Sequence, residues 1–344
     1  MPVNLQEIAA KANVSRVTVS RVVNNHENVS PETRERVLEI LKEHKYVPRK
    51  HRQASMGQRR IEFLFYHGWE QQINVTPIYS RVLHAIQERL QAKGVSLSLR
   101  SIPAAGETDH LSAELMQNAS DGLIMFQFDA ANQPLIRKLQ AQQVPLVLVQ
   151  PRFFVEGATS IFPDNYQGGS AAVSHLIEMG HRRIAHIQAS NHELESIERQ
   201  RAYAFTLREA GIEPRPEYCT ICGDWTSEGG YKSMAYLLGL SEPPTAVFAA
   251  DDTIAVGAIN YCAEHGIKVP DKISVVGFDD LHPERFTFPA LTTIRYDAAH
   301  MGQIAVQRVL RIIEDPESIP CRILIPTNLV KRASVKRIND KYLH

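Results

Sequence analysis

Residues 4–24, NLQEIAAKANVSRVTVSRVVN, read as two short helices joined by a tight turn. Asn4 can cap a free backbone N–H, and Glu7 three residues on completes a capping-box pattern. Leu5, Ile8, Ala9 and Ala12 recur at helical spacing and make an apolar stripe. Asn13 ends this helix, because asparagine tolerates the left-handed conformation that a tight turn needs. Val14 plugs a small core and Ser15 caps the second helix. Arg16, Val17, Thr18 and Arg21 lie on that helix and Asn24 at its end, while Val19, Val22 and Val23 can face inward. A hairpin that merely packs explains the valines. It does not explain Arg, Thr, Arg and Asn standing together with no acid among them. A third helix starts at Ser30-Pro31-Glu32, with proline at its first position, and Val37, Ile40 and Leu41 give its buried face. The pattern predicts a small all-α helix-turn-helix unit, the motif that lays its second helix in the DNA major groove.

Charge agrees. The whole chain balances 38 basic against 38 acidic residues. Residues 1–60 nevertheless carry 12 basic and 6 acidic side chains, a surplus of +6, which leaves −6 on the rest. A basic head on an acidic body is an electrostatic footprint for nucleic acid.

With 344 residues the chain has room for two or three globular units. It has no apolar run long enough to span a membrane and no basic-then-apolar leader, so a cytoplasmic location is expected. Four cysteines make no disulfide framework. Cys219 and Cys222 form a C-x-x-C within an expected strand, where residues three apart point to opposite faces, so metal binding is not expected. His181 reads as a loop residue. No cofactor is expected. RKHRQASMGQRR (49–60) is polar, basic and without apolar period, and reads as a linker.

From Ile61 the pattern becomes strand and helix in alternation. Strands are expected at 61–67, 95–102, 121–127 and 144–150, with helices at 78–94, around 109–118 and at 132–142. The series restarts after DNYQGG (164–169), with helices at 168–179, 197–210, 227–238 and 252–265 and strands at 182–188, near 218–222, 245–250 and 273–279. Such alternation predicts two open parallel sheets with helices on both faces. Ligands bind beyond the carboxyl ends of strands in sheets of this kind, so the space between two lobes is the natural site.

The run VSRVTVSRVVNNHENVSPETRERVLEILKEHKYVP (14–48) resembles the DNA-binding head of the lactose-repressor (LacI/GalR) family. PDNYQGG (163–169), GHRRIAHI (180–187), FAADDTIAVGA (248–258), ISVVGFDD (273–280), FPALTTIRYD (288–297) and LVKR (329–332) extend the likeness over nearly the whole chain. The resemblance implies a helix-turn-helix domain at 1–48, a hinge at 49–60 and an effector-binding and dimerisation domain at 61–344 with a periplasmic-binding-protein-like fold. The chain should cross between the lobes three times. The N-lobe then holds about 61–162 plus 293–325, and the C-lobe about 163–292 plus 326–340.

The resemblance also places the sites. Base readers fall on Arg16, Val17, Arg21 and Asn24, with Asn28 in the following loop. Arginine can donate two hydrogen bonds to guanine O6 and N7, and Val17 can touch a thymine methyl. Ser15, Thr18 and Ser30 are expected to hold phosphates. In the hinge, relatives carry Ala-Arg-x-Leu, whose leucine wedges into the minor groove. Here the tetrapeptide is Arg52-Gln53-Ala54-Ser55, so either Met56 supplies the wedge in shifted register or the operator bends less. Effector contacts fall on Arg199, Asp251 and Asp279, each expected at a strand end or helix start, with Trp225 at a position where an aromatic stacks on the effector, and Tyr79 joins them. Gln150 stands where many sugar binders carry Asp, and Tyr296 replaces a common Gln. A long first loop brings His67 and Trp69 to the mouth. Arginine with carboxylates can grip vicinal hydroxyls, so a sugar or sugar derivative is the expected effector.

The expected protein is thus a transcriptional regulator, read as a repressor. It works as a homodimer on a near-palindromic operator in double-stranded DNA, with half-sites about 34 Å apart. The C-terminal NDKYLH has no leucine heptad to link dimers further. The alternatives are a cytoplasmic solute-binding protein and a regulator controlled by a protein partner. An enzyme is not expected, because no nucleophile–base motif accompanies the Asp pairs 251–252 and 279–280.

Overall fold

The apolar periodicities sort into two bodies, residues 1–59 and 60–344, in a computed structural model that describes residues 5–23, 29–43, 59–66, 77–102, 108–117, 120–281 and 288–338. The first body contains α1 (Leu5–Ala12), α2 (Arg16–Val23) and α3 (Pro31–Glu43). The turn between α1 and α2 closes as its chemistry predicts. Asn13 sits at φ 52° and the Val14 N–H reaches the Ala9 carbonyl at 3.0 Å. Ile8, Ala9, Ala12, Val19, Val22, Val37 and Leu41 form the core, with Val14, Val29 and Ile40 packed on its edge.

In the second body the first sheet has strand order β11-β5-β4-β3-β1-β2, with β1 (Arg60–Tyr66), β2 (Ser96–Ile102), β3 (Gly122–Phe126), β4 (Leu146–Val149), β5 (Thr159–Pro163) and β11 (Arg322–Ile325). All of its pairings are parallel. Ile61, Phe63, Phe126, Val147 and Val149 bury one face under α4 (Pro77–Gln91) and α11 (Ala298–Glu314). Leu64, Leu123, Met125 and Leu148 bury the other face with residues of α5 (Thr108–Gln117) and α6 (Gln133–Ala141).

The second sheet has the order β12-β10-β9-β8-β6-β7, with β6 (Ile184–Gln188), β7 (Cys219–Ile221), β8 (Ala246–Ala249), β9 (Ser274–Phe278), β10 (Thr292–Tyr296) and β12 (Thr327–Val330). Only β12, paired to β10, runs antiparallel among the described strands. Residues of α7 (Asn165–Glu178) and α8 (Leu194–Glu209) cover one face, and those of α9 (Ser227–Leu238) and α10 (Asp252–Glu264) the other. Helices α9 and α10 touch backbone to backbone. A Cβ on Gly230 would meet the Ile254 carbonyl at 2.0 Å, and one on Gly257 the Ser227 carbonyl at 1.8 Å.

Two open sheets with helices on both faces, the expected class, are therefore present. Several local expectations need correction. Thr292–Tyr296 pairs with β9 and β12, so the return to the first sheet follows Tyr296 instead of beginning at 293. Strand β5 was not expected, and α8 begins at Leu194 instead of 197. The three crossings are 163–165, 296–298 and 325–327. Asp164 and Asp297 stop two of them by capping α7 and α11, through the Gln167 and His300 N–H groups at 2.9 Å each. The Asp164 N–H binds the Ile325 carbonyl at 2.9 Å, which ties the first crossing to the third.

Candidate functional site

Helix α2 is held by hydroxyl chemistry. Ser15 Oγ accepts the Thr18 N–H at 3.1 Å and lies 2.8 Å from Thr18 Oγ1. The start of α3 repeats the device, with Ser30 Oγ taking the Thr33 N–H at 3.3 Å and donating to Thr33 Oγ1 at 2.8 Å. Thus Ser15, Thr18 and Ser30, expected at phosphates, also set the ends of the two helices. Val17 is 49% exposed and Arg21 is also exposed, while Val19 and Val22 are buried. The outward face is therefore the one with the hydrogen-bonding groups. Arg16 lies at the first position of α2. Asn24, Asn28, Arg52, Ser55 and Met56 fall outside the described residues.

In the second body the carboxyl ends of the two sheets face each other. Gln150, just past β4, donates from Nε2 to the Tyr296 hydroxyl at the end of β10, at 3.0 Å. Arg152 binds Glu193 at 2.6 Å and accepts the Leu194 N–H at 2.8 Å, which fastens the start of α8 to the first lobe. Backbone conformation marks the same edge. Gln127, Gln150, Asp279 and Asp280, each just beyond β3, β4 or β9, have φ of 51°, 47°, 101° and 51°. Non-glycine residues adopt such angles at a cost, and they concentrate at working sites.

Arg199 is the centre of this edge. It is 1% exposed and engaged at all three nitrogens: Nε donates to Asn165 Oδ1 at 2.9 Å, NH1 to the Ala250 carbonyl at 2.5 Å and NH2 to Asp279 Oδ1 at 3.3 Å. Its guanidinium carbon lies 3.6 Å from the Phe278 ring centroid and 5.5 Å from that of Trp225. Flat cations are attracted to ring faces at these distances. The Trp225 indole N–H donates to Glu193. Asp251 caps α10 by accepting the Ile254 N–H at 2.7 Å. Burial, with Asp279 nearby, pushes its carboxyl up to about 8. Burial likewise raises Glu195 to about 7 and lifts Asp279 against the pull of Arg199.

The neighbouring acids of the two Asp pairs are structural. Asp252 accepts Thr293 Oγ1 at 2.5 Å and the Leu281 N–H at 2.9 Å. Asp280 binds Arg295 at 2.5 Å and Arg332 at 2.6 Å.

The expected effector residues therefore group as Arg199, Trp225, Asp251 and Asp279 on the second lobe, and as Gln150 with Tyr296 across the junction. Arg199 corrects one expectation, since it lies in the second turn of α8 and not at a helix start. Tyr79 packs edge-on against Phe63, Phe65 and Phe126, with centroids 5.7 to 5.8 Å away, inside the first lobe. His67 and Trp69 fall outside the described residues. Sequence reasoning missed Arg152, Asn165, Glu193, Glu195 and Phe278. Glu195 and Arg199 stand four apart on one helix, a spacing that brings them to one face and could have flagged the acid. No helix among the described residues is long and apolar enough to cross a membrane.

Residues 4–49 match the family model of bacterial regulatory proteins, lacI family, and residues 173–335 match a periplasmic binding protein-like domain. The chain is 30% identical to the HTH-type transcriptional repressor PurR of Mannheimia succiniciproducens, over 97% of this chain and 99% of that one. It is 28% identical to a probable HTH-type transcriptional repressor ExuR of Bacillus subtilis, over 98% and 99%. Among solved structures it is similar to a transcriptional regulator CelR–cellobiose complex (30% identity, 96% and 99% covered, TM-score 0.73). It is also similar to a lac repressor dimer bound to operator and the anti-inducer ONPF (28%, 98% and 100%, 0.70). With a capped helix-turn-helix in one body and a buried arginine at the junction of two lobes in the other, the chain belongs to the LacI family and is a DNA-binding transcriptional regulator.

Proposed function

We propose that this protein is a cytoplasmic repressor whose dimer binds a near-palindromic operator, and whose affinity is set by a small molecule, a sugar or sugar derivative, held between the lobes around Arg199. Arg16 and Arg21 read guanine edges, Val17 packs on a thymine methyl, and Asn24 and Asn28 add contacts. Ser15, Thr18 and Ser30 hold phosphates. The hinge at Arg52, Ser55 and Met56 lies on the DNA. The observation that carries the effector half is the pairing of Arg199 with Asp279 beside Trp225 at the junction. An oriented guanidinium and carboxylate beside an aromatic face suit a hydroxylated ring.

Control follows from the bridges. Gln150–Tyr296 and Arg152–Glu193 join the lobes, and an effector entering the junction competes with them or reinforces them. A ligand shifts the equilibrium between lobe angles only by binding one arrangement more tightly. The crossings at 163–165, 296–298 and 325–327 are where the change of angle falls. Asp252 and Asp280 are committed to Thr293, Arg295 and Arg332, a structural use of both acids that supports binding without turnover.

Selection of bound duplexes from a random pool, with and without a panel of sugars, tests this reading. The expected result is a two-fold symmetric sequence whose enrichment changes with one class of sugar. Enrichment of no sequence overturns it.

A further inference from the structure

Among the described residues, the carboxylates at the inter-lobe junction outnumber the cations that face them. Glu193 is matched by Arg152 at 2.6 Å, and Asp279 by Arg199 at 3.3 Å. That leaves Glu195 and Asp251. Asp251 spends one oxygen on the α10 cap and has no cation of its own among the described residues. Glu195 is 9% exposed. Its carboxylate makes no hydrogen bond among the described residues. It stands in the first turn of α8, two residues after the Glu193 that reaches Arg152 and one turn before Arg199. An unpartnered, buried carboxylate is costly, and a protein that keeps one in a ligand site keeps it for a partner.

We propose that the effector of this protein carries a protonated amine on a small polar ring, as an aminodeoxy sugar does, and that Glu195 and Asp251 receive the ammonium. This rests on the reading of the junction as the effector site and names the ligand's charge. Trp225, half-buried beside Arg199, adds aromatic surface to which a cation-bearing ring also adapts. An anionic ring such as a uronate meets the two unmatched acids and is excluded.

In the absence of ligand, protons take the place of the cation. Burial holds Glu195 near 7 and Asp251 near 8, with Arg152, Glu193, Arg199 and Asp279 as the charged neighbours. An ammonium binds their ionised forms, so protons leave for the buffer as the amine enters.

The test uses the full chain with glucosamine and galactosamine as amine probes, and with glucose, N-acetylglucosamine and glucuronate as matched controls. Thermal unfolding and calorimetry in two buffers of different ionisation enthalpy are the readouts. The expected result is that at least one amine raises the Tm and releases protons, and that it binds at least tenfold more tightly than its uncharged parent, with glucuronate inert. Glu195→Gln should lower the amine's affinity tenfold or more and narrow its lead over the uncharged parent. Asp251→Asn, which keeps the helix cap, should act in the same direction if Glu195→Gln fails to fold. Glucose or glucuronate binding as well as the amines, in a manner abolished by Arg199→Ala, overturns the proposal and leaves the site reading in place. No binding by any probe overturns both the amine proposal and the sugar reading of the site.

Discussion

The two bodies place their proposed working side chains on opposite sides of the hydrophobic boundary. In the N-terminal body the core is finished without them: Ile8, Leu41, valines and alanines fill it, and Arg21 stands outside. In the second body the proposed effector groups are in the interior. Arg199 is more buried than most of the leucines, and it holds Asn165, Asp279 and the Ala250 carbonyl at once. The difference follows from what each site meets. A duplex presents its edges to a protruding helix, whereas a small molecule must be surrounded. Stability and function should therefore separate in the first body and stay joined in the second.

The sharpest break of that comparison is Arg199→Ala. It strands the Asp279 carboxylate and the Ala250 carbonyl in a buried site, and removing one member of such a pair costs about 3–5 kcal/mol. Urea unfolding of the second body should show this loss, together with loss of effector response. An undiminished midpoint would show that Asp279 takes up a proton when the guanidinium leaves, since burial already draws its carboxyl in that direction.

Arg21→Ala should do the reverse. Operator affinity falls by about 1–3 kcal/mol, with relaxed preference at one base pair, as expected for loss of a bidentate guanine contact. Thermal unfolding should not move, because the side chain is exposed and the helix keeps its Ser15–Thr18 cap. Binding measured on the selected operator and on single-base variants checks the first claim, and calorimetry the second. A drop in Tm as large as the drop in affinity would mean that the head does not keep its function outside its core.

The same contrast explains what was legible in the sequence. The reading helix was visible because its signals are local: a cap, a turn residue at positive φ and an apolar stripe. The alternating strands and helices of the body were visible for the same reason. What escaped depended on distant partners. Strand β10 belongs to the second sheet because β9 and β12 lie beside it, and nothing within TTIRY says so. Strand β5 is a five-residue run whose place is set by β4 and β11. The start of α8 was misplaced because Glu193 precedes it in extended backbone without a side-chain cap. Glu195 carries no local signal of burial, since its burial depends on elements that pack against α8 from elsewhere in the chain.

The mildest prediction concerns the joining of stability and function in the second body, and it carries a sign. Asp251 ordinarily titrates near 3.8, and burial raises it to about 8 in the folded chain. Between those values the folded state holds a proton that the unfolded state has given up. The contribution of this carboxyl to stability is thus complete below about pH 3.8 and is lost as pH rises through about 8. Glu195 adds a like term that is lost by about 7. Asparagine caps helices as well as aspartate does and has no charge to bury. Asp251→Asn should therefore be nearly neutral at pH 4 and stabilising by about 1 kcal/mol or more at pH 8, while effector binding weakens. Thermal unfolding at the two pH values decides it. A gain in Tm that does not grow with pH would show that the wild-type carboxylate is already solvated, and that in this body, too, a working side chain can be changed without touching the fold.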